Sequence, residues 1–170
     1  MQLNKNIVLL GMMGSGKSTI GYLLSKKLDL NFKDVDKIIE KEDKNKISQI
    51  FLIKGESYFR KLEEKVTLKL LKTEKNIIAL GGGGFINENI RKEVLSRNLS
   101  FWLFWNNSTI TKRIYNSKKR PLAFNLTSSQ INDLITTRSK IYSQANFKIN
   151  CEKLTKNMII KKIIKIYEKK

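Results

Sequence analysis

The chain has 170 residues, 41% of them hydrophobic, which supports one folded domain and excludes a disordered or fibrous chain. Histidine is absent and cysteine occurs once, at Cys151, so zinc centres, histidine-based triads and internal disulfides lack the residues they need. The net charge of +19 is carried by lysines scattered from Lys5 to Lys170, with no basic block flanked by stacking aromatics; it reads as a solvated surface rather than a nucleic-acid face.

Asn6–Leu10 reads as a buried strand. Its run IVLL is cut by Gly11, too short for a signal-peptide core, and no apolar run approaches a membrane span, so a cytoplasmic protein is expected. The segment GMMGSGKST follows at once, and Ser18–Leu28 then reads as a helix with Ile20, Leu23, Leu24 and Leu28 at helical spacing. A strand, then GxxxxGKS, then a helix is the pattern of a phosphate-binding loop. Polyphosphate oxygens need converging backbone N–H groups, which glycine permits at close approach, and the helix adds the positive end of its dipole. Gly11, Gly14, Ser15, Gly16, Lys17, Ser18 and Thr19 are therefore the candidate ATP-binding segment. Within it, Lys17 is placed to reach the β- and γ-phosphates and Ser18 to ligate Mg²⁺.

Asn31–Val35 reads as a short strand, with Asp34 and Asp36 on one side by alternation, at the mouth of the sheet. Such a pair either supports a metal-bound water and a substrate hydroxyl or caps a helix. Lys37–Lys54 reads as two short helices and Glu56–Lys72 as a longer one. Within GESYFRKLE, Arg60 is either tethered by Glu56 and Glu63 on the surface or aimed into a cleft with Glu63 fixing its pose. Asn76–Leu80 is another buried strand, stopped by Gly81–Gly84; that run either lays bare backbone against a ligand or makes a sharp turn.

Asn87–Ser96 reads as a helix, Ser100–Trp105 as a strand and Ser108–Tyr115 as a helix. A polar loop over 116–128, holding Arg120 and the only proline, reads as a lid. Ser129–Gln144 is a helix, Phe147–Asn150 a last strand and Thr155–Tyr167 a closing helix. The alternation predicts a single α/β domain over residues 1–170: a doubly wound, five-stranded parallel sheet with helices on both faces and ligands at the carboxyl ends of the strands. Arginine is used sparingly, six against 28 lysines. Where a planar fork is needed for carboxylate or phosphate, lysine substitutes poorly, so such positions are to be sought among Arg60, Arg91, Arg97, Arg113, Arg120 and Arg138, the rest being ordinary surface residues.

GMMGSGKST, DVD, GESYFRKLE, LGGG, RPL, and an arginine with tyrosine four residues later occur in this order over nearly the whole chain. In that order the sequence resembles the shikimate kinase family of phosphate-loop kinases. The resemblance implies ATP-dependent phosphorylation of the 3-hydroxyl of shikimate, with Mg²⁺, by a cytoplasmic enzyme of aromatic amino-acid biosynthesis that acts as a monomer. It implies that Lys17 holds the phosphates and that Ser18 and, through water, Asp34 support the metal. Asp36 would bind the shikimate hydroxyls as candidate base, while Arg60, aided by Glu63, and Arg138 would pair with the carboxylate. Gly81, Gly82 and Gly83 would lie beside substrate, Arg120 would be the lid arginine, and Arg113 would lie against the adenine. The chain departs from the family's pattern at Lys44, where glycine is usual, at Phe104 and Asn146, each in place of an acid, and at Gly84, which lengthens the glycine run. A gluconate-type small-molecule kinase, a nucleic-acid-stimulated ATPase and a silent kinase-like binding module are the alternatives.

Overall fold

A computed structural model describes residues 5–116 and 126–170. Five strands form one parallel sheet: β1 (Ile7–Leu10), β2 (Asn31–Asp34), β3 (Asn76–Ala79), β4 (Leu99–Phe104) and β5 (Phe147–Asn150), in the order β2-β3-β1-β4-β5. The connecting helices are α1 (Lys17–Leu28), α2 (Val35–Asp43), α3 (Ile47–Leu71), α4 (Glu88–Arg97), α5 (Asn107–Tyr115), α6 (Ser128–Tyr142) and α7 (Lys156–Tyr167). A 3₁₀ turn at Gly84–Ile86 precedes α4.

The central strand shows why the sheet is wound on both sides. All four residues of β1 are fully buried; Val8 and Leu10 join the core under α2 to α6, whereas Ile7 and Leu9 join the core under α1 and α7. A strand covered on both faces reads as a continuous apolar run, as IVLL does. At its outer end Leu10 pairs with Trp102, and Leu9 pairs with Ala79, itself beside Asp34. The carboxyl ends of the strands therefore finish level. From β1 the chain passes to β2 and β3 on one side and later to β4 and β5 on the other, so the loop after β1 sits where the winding direction reverses.

Beyond shifts of one or two residues at element ends, two differences from the expectation bear on the site. Strand β2 ends at Asp34, not Val35, because the Asp34 side chain accepts a hydrogen bond from the Lys37 N–H and caps α2. Asp36 consequently sits in the first helical turn, and strand alternation does not place it. Helix α3 is interrupted at Gly55 (φ 81°, ψ 169°), which separates the short helix expected before residue 55 from the longer one after it. Most of the expected lid, residues 117–125 with Arg120, lies outside the described residues.

Candidate active site

The loop after β1 is folded around three glycines with left-handed backbones, Gly11 (φ 139°), Gly14 (φ 85°) and Gly16 (φ 91°). Gly11 is doubly constrained: a side chain there would come within 3.0 Å of the Leu103 carbonyl and 3.1 Å of Ser15 Oγ. Ser15 N–H closes a turn onto the Met12 carbonyl (3.1 Å), and Gly16 is the N-cap of α1. Lys17, the first residue of that helix, is buried and donates from Nζ to the carbonyls of Gly11 (2.8 Å) and Met12 (3.0 Å). Ser18 and Thr19 are exposed at the helix start.

Across from this loop stand the acids. Burial lifts the Asp36 carboxyl to about 6, against the pull of Lys17 and reinforced by Glu63, Asp34 and Glu40. Arg60 resolves the choice left by the sequence by taking part in both arrangements. Its Nη2 meets Glu56 at 3.1 Å, while its Nη1 meets Glu63, whose side chain is only 2% exposed, at 2.7 Å. Burial raises the Glu63 carboxyl above its ordinary range, opposed by Arg60. The guanidinium is thus fixed by two acids at the edge of the cleft.

The glycine run makes room for these side chains. A Cβ on Gly81 would stand 2.6 Å from Glu63 Oε1 and 2.7 Å from Asp36 Oδ1, and one on Gly83 would stand 2.9 Å from Arg60 Cζ. The Gly82 carbonyl accepts from Arg138 Nη1 (3.3 Å) and from the Tyr142 hydroxyl. Tyr142, fully buried on α6, is pushed up to about 12 by burial.

One cleft of about 890 Å³ gathers these groups. Gly14, Gly16, Lys17, Ser18 and Thr19 of the phosphate loop line it together with Asp34, Asp36, Arg60, Glu63, Gly82, Gly83 and Arg138. Gly11 and Ser15 form the buried base of the loop, and Gly81 lies behind the carboxylates. Arg113, on α5, donates to the Gly14 carbonyl (3.2 Å) and stacks 3.7 Å from the centre of the Trp105 ring. Arg120 lies outside the described residues. A phosphate cradle facing a pocket with forked cations and a buried carboxyl suits a kinase for a small hydroxylated anion.

The family model for shikimate kinase matches residues 13–168. This chain belongs to the shikimate kinase family. It is 39% identical over 160 residues to the shikimate kinase of Sulfurihydrogenibium sp., covering 94% of this chain and 96% of that protein. It is 40% identical over 161 residues to that of Persephonella marina, with coverage of 94% and 97%. Among solved structures, the shikimate kinase of Acinetobacter baumannii in complex with shikimate superposes with a TM-score of 0.92 at 28% identity, covering 99% of this chain and 95% of that one.

Set against the family pattern, the departures are locally absorbed. Lys44 closes α2 in a left-handed conformation (φ 62°), a backbone that glycine would adopt without strain. Asn146 accepts from the Ser100 N–H (2.9 Å) and hydroxyl (2.8 Å) through its amide oxygen, as a carboxylate would. Phe104 packs edge-on to Trp102 and under the Lys148 ammonium (3.9 Å), and Gly84 opens the 3₁₀ turn. Lys37, Glu40, Lys46, Phe51 and Phe59, none of them a candidate from sequence, also line the cleft. Phe59 belongs by spacing to the apolar stripe of its helix with Leu62 and Val66, and nothing in the one-dimensional pattern marks the other four. Tyr142 and Trp105 were visible as part of a motif and as a strand end, but their contacts were not.

Proposed function

We propose that this chain transfers the γ-phosphoryl group of ATP to the 3-hydroxyl of shikimate, giving shikimate 3-phosphate and ADP. The reading is carried by one observation: Arg60, Arg138 and Asp36 share a single cleft with the phosphate loop. Shikimate is a carboxylate bearing three hydroxyls. Two forked donors would take its carboxylate, Asp36 a hydroxyl, and the neighbouring Phe51 and Phe59 rings (centroids 4.7 Å apart) its carbon face. The complex of the Acinetobacter baumannii relative with shikimate supports the same acceptor.

Phosphoryl transfer depends more on alignment and charge than on a strong base, because its transition state is loose and highly charged. Asp36 would hold the hydroxyl in line and accept its proton, with a basicity raised toward working pH by burial. Lys17 would exchange the loop carbonyls for phosphate oxygens. Arg120 would add positive charge from the lid, and Arg113 would face the adenine.

The residues present fit Mg²⁺. The exposed Ser18 hydroxyl and the buried Asp34 carboxylate line the same cleft, and one Asp34 oxygen caps α2, leaving the other to reach a metal-bound water. An ion at this site would be held mainly by phosphates and water, with one or two protein oxygens. Bound there, Mg²⁺ would neutralise charge on the β- and γ-phosphates.

We further propose a monomeric, cytoplasmic enzyme of aromatic amino-acid biosynthesis. A coupled ADP-release assay with Mg-ATP and a panel of shikimate, gluconate and RNA tests it. Turnover with shikimate alone is expected, and absence of shikimate turnover would refute it.

A further inference from the structure

Directly after β4, Trp105 lies behind the phosphate loop. Its indole Nε1–H donates to the Ser15 carbonyl at 2.9 Å, and its ring carries the Arg113 guanidinium at 3.7 Å. Arg113 in turn donates to the Gly14 carbonyl at 3.2 Å. Two successive loop carbonyls are therefore held by side chains that do not themselves line the cleft. A trans peptide is planar, so its carbonyl and the following N–H point in opposite directions. With the Gly14 carbonyl held, Ser15 N–H points the opposite way and closes the turn onto the carbonyl of the buried Met12. Holding the Ser15 carbonyl back directs Gly16 N–H away from Trp105, and Gly16 lines the cleft between Gly14 and Lys17.

We propose that Trp105 is a positioning residue for the nucleotide phosphates: its indole N–H fixes the Ser15–Gly16 peptide so that the Gly16 N–H is presented to the anion before it arrives. The ring packs partly buried against both cores, so the anchor is stiff. Without it, the plane turns about Ser15 ψ and Gly16 φ, and the left-handed Gly16, with no side chain, resists that rotation least, so anion binding carries the cost of ordering it. The inference rests on the reading of ATP as phosphoryl donor.

The test replaces the indole N–H and little else. 3-Benzothienylalanine at position 105 keeps the shape and puts sulfur in place of N–H; Trp105→Phe is a second variant that keeps a ring for Arg113 and lacks the donor. Dissociation constants are measured by calorimetry for ADP, for tripolyphosphate and for shikimate, together with both KM values. Each variant is expected to weaken ADP and tripolyphosphate alike, by about five- to tenfold, as for loss of one preorganised hydrogen bond. The KM for ATP should rise while the shikimate constants stay within twofold. Three results would overturn the proposal: ADP affinity within twofold of wild type, a loss for ADP without one for tripolyphosphate, or an equal loss for shikimate. Failure of the wild type to turn over shikimate would strike the acceptor assignment instead, since ADP and tripolyphosphate binding do not involve it.

Discussion

Alanine at Gly81 should damage this site far more than alanine at Gly84, although the two glycines belong to one run. Neither has a left-handed backbone, so the difference is one of space. At Gly81 the added carbon meets Glu63 Oε1 at 2.6 Å and Asp36 Oδ1 at 2.7 Å, and each oxygen must retreat by roughly 0.7 Å to reach ordinary contact. Glu63 is buried and tied to Arg60 at 2.7 Å, and Asp36 is fixed in the first turn of α2, so neither retreats freely. Overpacking of this kind costs about 1–3 kcal/mol, which lowers Tm by roughly 2–4 °C per kcal/mol in a chain of this size. The larger effect is on turnover. The same push moves Asp36 and, through Glu63, Arg60, and a misplacement near 1 Å costs on the order of 100-fold. At Gly84 the nearest neighbours would be Glu63 Oε1 at 3.5 Å and Leu80 Cβ at 3.6 Å, which is ordinary packing. In the ADP-release assay, Gly81→Ala should lose about two orders of magnitude in kcat/KM for shikimate while retaining ADP affinity, with Gly84→Ala near wild type. A Gly81→Ala enzyme within threefold of wild type, or a Gly84→Ala enzyme equally impaired, would refute the argument that the carboxylates own this space.

Burial holds the Asp36 proton more tightly in the folded protein than in the unfolded chain, so the stability it lends is present below about pH 4 and lost as pH rises through about 6. Asp36→Asn should therefore raise stability at pH 7.5, by on the order of 2–3 kcal/mol, with the gap closing near pH 4 in thermal melts, while abolishing turnover. Arg60→Ala should weaken shikimate binding by about 2–5 kcal/mol and also destabilise the fold by leaving Glu63 buried without its partner. Adding Glu63→Gln should restore the melting temperature but not the affinity measured by calorimetry. In the short segment between α2 and the break in α3, two substitutions should act with opposite signs in thermal melts. Lys44→Gly relieves a left-handed lysine and should stabilise by about 0.5–1 kcal/mol, whereas Gly55→Ala meets no atom within 4 Å yet should cost about 1–3 kcal/mol through backbone strain alone.

What the sequence reveals about this molecule follows how local each cause is. The phosphate loop is legible because its whole chemistry lies within nine consecutive residues and its supports, a buried strand and an amphipathic helix, adjoin it. The Asp34–Asp36 pair is legible as acids but not as geometry. Val35 is apolar and extends the strand pattern, and only the contest between alternation and the cap to Lys37 N–H decides where β2 stops. The glycine run was read as either bare backbone for a ligand or a sharp turn, because its actual neighbours are remote in the chain: Gly81 abuts Asp36 and Glu63, and Gly83 abuts Arg60. Trp105 is hidden for the same reason, since its partner Ser15 lies 90 residues away on another strand's loop.

The same remoteness explains how a cleft so crowded with charge holds together. Asp34, Asp36 and Glu63 share it with Lys17, Arg60 and Arg138, and within the protein itself the cations already have acceptors. Lys17 rests on two loop carbonyls, Arg60 on two glutamates and Arg138 on the Gly82 carbonyl. A buried charge without a partner costs several kcal/mol, so these contacts stabilise the fold before any ligand arrives. They also keep the donors oriented, since a guanidinium clamped by Glu63 and Glu56 still presents part of its fork to the cleft. An anionic acceptor and a polyphosphate entering this space would meet cations already partly desolvated and held in place, so less of their binding energy goes into ordering side chains. The acids that make the pocket costly to fold are therefore the groups that preorganise it.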